Sequence, residues 1–261
     1  ANSEVIHNLA YEKILEVLHL THVFEENLNE KVIRGRVDYL RKYLEKHYED
    51  DKKQYVYSII LFTLFVENVS LFSQFYIIMH MNRNKAVMKD CAQQVQYTRN
   101  EEMLHAQVGI KLIQTLREEY PELFDQELQD RIQHECIESL KAESKVIDWI
   151  MGDYEVDGLS APILKSFIAK RMADSLDQIG FDNSEIVYDQ AHVDETFWFD
   201  EELYGANMTD FFQKRPVEYA KGQGISVDQL ESIDDLLKST ALTETEELLY
   251  SLNNRSQFTQ A

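Results

Sequence analysis

The sequence predicts an all-α fold, a bundle of long helices. Three observations carry this. Glycine and proline are scarce, eight and three among 261 residues, well below what the tight turns of a sheet-rich fold consume. Apolar residues recur at helical spacing over long stretches. The most apolar run, residues 55–79, carries Glu67, Asn68, Ser70, Ser73 and Gln74 in its middle. A helix facing lipid rarely tolerates such a set, whereas a helix inside a bundle does.

The elements follow in order. Ala1 to about Leu28 reads as one helical stretch, with Ile6, Leu9, Ile14, Leu15 and Leu18 on its periodic face. Residues 30–48 form a second amphipathic segment through Val32, Val37, Leu40 and Leu44. A third helix spans about 52–81 and is apolar nearly all round, which marks it as central. A turn at 82–84 leads to a fourth helix, about 85–120, closed by Pro121. The fifth covers 123–151 and stops at Gly152. Pro162 suits the first turn of a sixth, which ends near Gly180. Shorter helical pieces fill 183–220. Beyond Gly222 and Gly224 the chain turns polar, so 1–220 reads as the folded body and 221–261 as a flexible C-terminal tail.

Charge narrows the function. Forty-seven acidic residues against 26 basic ones give a net charge of -21 and a pI near 4.7. Phosphate contacts need clustered Lys and Arg, so nucleic acid is not an expected partner, and neither is an anionic membrane surface. Cys91 and Cys136 form no metal or redox motif; they read as small buried thiols, in keeping with a reducing cytoplasm. Phosphate-binding and nucleophile-elbow motifs are absent. Trp149 and Trp198 read as core anchors, and His80, His134 and His192 as surface or capping residues.

Bundles place chemistry at their centre by turning carboxylates and imidazoles inward. Glu-x-x-His puts both on one helix face. It occurs at Glu4/His7, Glu16/His19 and Glu102/His105. Glu16/His19 has no supporting context and reads as a solvated face. The first pair is followed one turn later by Tyr11, and the third is preceded by Glu101. Glu67 is a lone carboxylate in the most apolar helix, where a charge is costly without a partner. Singly, each residue has an ordinary structural role. Together, two such pairs and an isolated Glu on a central helix match a di-metal carboxylate bundle. That pattern also asks for a carboxylate on a fourth helix, which the sequence does not offer in a suitable context.

With these residues in place, the chain resembles the radical-generating small (beta) subunit of class I ribonucleotide reductase. Three blocks carry the resemblance: E-x-x-H-x-x-x-Y at Glu4, His7 and Tyr11; Glu67 followed by NEEMLH with Glu102 and His105; and DFFQKRPVEYAKG at 210–222, similar to the family's FFEKR-x-x-EY segment. The resemblance implies a ferritin-like bundle with Glu4, His7, Glu67, Glu102 and His105 as ligands to two metal ions, iron before manganese. Tyr11 would be oxidised to a stable radical, which argues against the manganese–iron type. Glu101 stands where the family usually has an Asp linking the metal site to the radical path. Tyr219 matches the tail tyrosine, and the end around Phe258 matches the peptide that docks on the large (alpha) subunit, although QFTQA is less acidic than many such tails.

The resemblance further implies a cytoplasmic homodimer active with a large subunit in reducing ribonucleotides to deoxyribonucleotides. The chain departs from the family at its start. The family has a further Asp or Glu ligand and a tryptophan upstream of the position of Glu4. We therefore expect a piece of a subunit (split, spliced or truncated), with a separate N-terminal polypeptide as a source of the missing carboxylate. Two other readings share the same motifs: a ferritin-like di-metal oxidase or metal-handling bundle without a radical, and a non-catalytic fragment retaining only the docking tail. The 210–222 block favours the radical subunit.

Overall fold

The computed structural model describes residues 2–44 and 52–205. Helices account for its architecture: α1 (Asn2–Val17), α2 (Thr21–Asn27), α3 (Lys31–Leu44), α4 (Lys52–Leu61), α5 (Phe72–Lys85), α6 (Lys89–Glu119), α7 (Gln126–Met151), α8 (Ala161–Gln178), α9 (Gln190–Glu195) and α10 (Phe197–Gly205). Between α4 and α5 lies a π-helical segment, Phe62–Ser70. Among the described residues there is no strand, only a lone bridge between Val156 and Leu159. His7–Met208 form one compact unit; the other comprises Ala1–Ile6 and Thr209–Ala261, of which Asn2–Ile6, the first turns of α1, are described. Tyr219, Phe258, the 210–222 block and the expected tail lie outside the described residues.

Local chemistry sets the helix ends. The Asp125 side chain accepts from the Leu128 amide at 2.9 Å and starts α7. Ser160 caps α8 with Pro162 in its first turn. Such caps satisfy amides that have no partner inside the helix. The predicted first helix is in fact two. His19 adopts a left-handed backbone, φ +57°, and the Leu20 amide closes onto Leu15 O at 2.8 Å. This ends α1 before α2 begins, a geometry that apolar spacing alone does not reveal.

The central stretch is continuous but not uniformly α-helical. It is long and apolar enough to cross a membrane by length and composition, yet two-thirds of that window, 67%, is buried inside the fold. Ile60, Leu64, Phe65, Phe72 and Tyr76 form the core with Ile113, Ile132, Ile147, Leu164 and Met172 from α6, α7 and α8. Buried with them are Glu67, Ser70, Ser73 and His80. A π turn accommodates an extra residue, so α-helical spacing miscounts beyond it. Leu71, four residues after Glu67 and on its face by α-helical spacing, is 37% exposed, while Phe72 and Phe75 are buried.

Two other expectations are corrected. His80 is buried; its Nε2 meets Asp157 O at 3.0 Å and its ring stacks on Tyr76. Trp149 stands on the outer face of α7, beside the buried Val146 and Ile147, and is 41% exposed. Trp198 is half-buried and packs against the core, donating from Nε1 to Tyr76 Oη at 3.1 Å. Glu16 and His19 are both exposed, as expected. Cys136 is buried and Cys91 half-buried.

Candidate metal centre

Five sequence-predicted residues of the compact unit, His7, Glu67, Glu101, Glu102 and His105, converge between α1, the π segment and α6. On α6, Glu102 and His105 lie one turn apart. His105 Nδ1 is 3.2 Å from Glu67 Oε2 and 3.3 Å from Glu102 Oε2. The other oxygen of Glu102 faces α1, where His7 Nδ1 is 3.3 Å from Oε1. Glu102 therefore lies between the two histidines, one carboxylate oxygen turned to each. Its neighbour Glu101 also turns inward, with Oε2 at 2.7 Å from His7 Nε2. His7, Glu67 and Glu102 are buried, while His105 and Glu101 retain some access to solvent. Glu4 stands one turn before His7 on α1, on the same helix face by its i, i+3 spacing, and is exposed.

Protonation follows from this crowding. Burial raises the Glu102 carboxyl above the usual range; Glu67 adds to the rise, and the bond to His105 opposes it. His105 is pushed up to about 10 by hydrogen bonds to Glu102 and Glu67. Burial leads for Glu102 and the paired carboxylates lead for His105, and two buried carboxylates side by side demand compensating positive charge. Without a metal, protons supply it. The ligand atoms of Glu67, Glu102 and His105 all lie within 4.8 Å of one another, so a single cation can replace those protons. Carboxylate oxygens and imidazole nitrogens suit a divalent transition metal. The donor set fits the group that the sequence implies.

Tyr11 lies one turn beyond His7 and packs half-buried against the core. Its hydroxyl donates to Thr98 Oγ1 at 3.2 Å, and Thr98 donates to Gln94 O at 3.2 Å. Burial raises its pKa, the Thr98 bond lowers it, and the charge of Glu102 raises it again. Thr98 was not anticipated from sequence. It stands four residues before Glu102, on the face of α6 that carries the site, and that spacing was the available signal.

The buried carboxylates of α7 stand apart from this cluster. Glu143 pairs with Arg36 Nε at 2.8 Å and accepts from Ser70 Oγ at 3.2 Å. Burial raises Glu135's neighbour Tyr57 well above the ordinary phenol range, with the Glu135 charge adding to it. Among the described residues, neither Glu135 nor Glu143 joins the groups able to hold a metal.

A family model described as "Ribonucleotide reductase, small chain" matches residues 1–203. The chain belongs to the ribonucleotide reductase small-chain family. Three curated relatives are similar to this small chain. The first, provisionally named ribonucleoside-diphosphate reductase small subunit 048L, is from Invertebrate iridescent virus 3 and is 24% identical, over 84% of this chain and 61% of its own length. The ribonucleoside-diphosphate reductase subunit beta of Halalkalibacterium halodurans is 21% identical, over 84% of this chain and 63% of its own. That of Treponema pallidum is 25% identical, over 72% and 53%. The chain thus spans roughly three-fifths of the length of the first two relatives. A crystal structure from Bacillus halodurans, provisionally named a class I ribonucleotide reductase, superposes with a TM-score of 0.66 at 20% identity, covering 76% of this chain and 70% of that one. The small chain accordingly has the ferritin-like helical fold.

Proposed function

We propose that this chain is the metal-holding, radical-generating body of a ribonucleoside-diphosphate reductase small subunit. The observation that carries the reading is Glu102, buried between His7 and His105 with one oxygen turned to each. A shared carboxylate flanked by two imidazoles makes two half-sites. In this reading Glu4, His7, Glu67, Glu102 and His105 would hold the pair of ions. The ions are iron, with manganese the alternative. The ligand set of such a pair also takes a carboxylate from a fourth helix.

The metal pair, once loaded, supplies the oxidising power drawn from dioxygen. The chain's own residues do the rest. Tyr11 is the electron donor. Its phenol is protonated at neutral pH, as an ordinary phenol is, and burial only reinforces this, so its oxidation must move a proton together with the electron. Phe65, Phe72 and Phe75 are buried in the core around the segment bearing Glu67, and they exclude water and reductants from that side. Glu101, hydrogen-bonding His7 at 2.7 Å, links the ligand shell to the radical's exit. Tyr219 carries the exit onward.

The body extends over 1–220 and the docking tail over 221–261, with Phe258 in the peptide that engages a large subunit, where ribonucleotides are reduced. The working form is a cytoplasmic homodimer. Low-temperature EPR after Fe(II) loading and oxygen exposure tests the reading. A tyrosyl signal that Tyr11→Phe lacks is the expected result. Two bound metals with no signal would instead favour a bundle oxidase, and no bound metal would leave only a docking fragment.

A further inference from the structure

Glu67 sits near the end of the π segment, which reverts to α-helix at Phe72. A change of hydrogen-bond register inside a helix leaves carbonyls without their regular partners and needs outside support. At Asn68 that support comes from α8. Arg171 Nη2 donates to Asn68 Oδ1 at 2.7 Å, and Arg171 Nε donates to the Asn68 carbonyl at 2.9 Å. Asn68 Nδ2 donates to Ser175 Oγ, one turn further along α8, and Ser175 Oγ donates back to Arg171 O at 2.8 Å. The guanidinium also lies 3.7 Å from the centre of the Phe72 ring. One side chain thus grips the residue after Glu67 and covers the first residue of α5, straddling the register change.

Beside Asn68 itself the packing is open. A cavity of about 330 Å³ opens beside the turn, lined by Asn68, Met103, Ala106, Phe167 and Arg171. With open space on that side, the hydrogen bonds from Arg171 add to the core packing of Leu64, Phe65 and Val69 in holding the backbone. Geometry sets what is at stake: each residue of register in an α-helix turns a side chain by about 100°. Relaxation of the π turn would sweep the Glu67 carboxylate away from His105.

We propose that Arg171 is a positioning residue for Glu67: its two-point grip on Asn68 holds the π turn in the register that aims Glu67 at His105. The inference rests on the metal-centre reading and deepens it. Arg171 also reaches Asp200 Oδ1 on α10 at 3.2 Å. That ion pair is a separate structural link and provides the control.

The experiment compares wild type, Arg171→Met, Arg171→Lys and Asp200→Asn, each checked for helicity and thermal transition. Lys keeps the charge and can serve Asp200 but cannot make the forked contact. Hydrogen exchange on metal-free protein reads the turn. Amides at 62–71 exchange about ten-fold faster or more in both Arg171 variants, as expected when local opening is eased, and as in wild type in Asp200→Asn. Titration with Co(II), followed by its visible absorption, reads the consequence: one of two sites weakens about 10- to 100-fold in the Arg171 variants and neither weakens in Asp200→Asn. If Arg171→Met does not fold, Arg171→Lys decides alone. Unchanged exchange at 62–71 overturns the proposal. So does faster exchange with unaltered Co(II) binding, or an Asp200→Asn that matches the Arg171 variants. Should wild type bind no Co(II), the metal-centre reading falls, and exchange still judges the grip on the turn.

Discussion

In the proposed metal centre, loading must release protons and affinity must climb with pH. His105 is held at about 10 by its bonds to Glu102 and Glu67, so at pH 7 the metal-free imidazole is protonated. Only the neutral ring binds a metal. Loading therefore expels at least one proton, and the raised pKa of Glu102 adds to the count. Taken at face value, one proton per ion means about a hundredfold gain in apparent affinity between pH 6.5 and 8.5. The His105 side chain is 35% exposed, and solvent screening reduces the pull of its partners; about ten- to thirty-fold is the expected gain. Isothermal titration with Mn(II), run in two buffers of different ionisation enthalpy at several pH values, measures both quantities. Affinity flat across this range, or no proton released at pH 7, would refute the reasoning, because it would mean that His105 is neutral in the metal-free site.

The same linkage has a stability side. The folded chain keeps a proton on His105 that the unfolded chain, at its ordinary 6.5, would lose. The resulting stabilisation of metal-free protein is complete below pH 6.5 and fades as pH rises through about 10. Glu67→Gln removes one of the two anionic acceptors. In metal-free protein, the imidazole NMR titration of His105 should then move down yet stay above 6.5, because Glu102 remains.

Three further outcomes are expected. Tyr11→Phe removes the hydroxyl that bonds Thr98; it should abolish the tyrosyl EPR signal while costing about 1 kcal/mol or less in urea unfolding. Arg36→Met leaves the buried Glu143 without its cation; a loss of about 3 kcal/mol is expected, and pairing it with Glu143→Leu should restore most of that loss in the same unfolding assay. Gly109→Ala places a Cβ into the Thr63 side chain where α6 meets the π segment. A loss of about 1–3 kcal/mol should show in thermal unfolding, with Thr63→Ala relieving part of it.

The bundle was legible because helices announce themselves twice, through apolar spacing and through the scarcity of Gly and Pro. The two Glu-x-x-His pairs among the proposed ligands were legible because that spacing fixes two side chains on one face without reference to the rest of the fold. What escaped depends on backbone geometry that no side-chain pattern encodes. His19 adopts its left-handed turn without a glycine to mark it, so α1 and α2 read as one helix. The π segment escaped for a related reason: Phe62–Ser70 has good apolar content in either register, and only its supports distinguish the two. Those supports are distant in sequence. Arg171 holds Asn68 from α8, and Arg36 with Glu143 holds Ser70 from α3 and α7. Each supporting residue looks like an ordinary charged position on its own helix. The wide turn that aims Glu67 is therefore a tertiary property, maintained by polar contacts with three other helices. It follows that substitutions far from the ligands should disturb the metal site most where they touch Asn68 or Ser70, and least where they alter only the apolar packing around them.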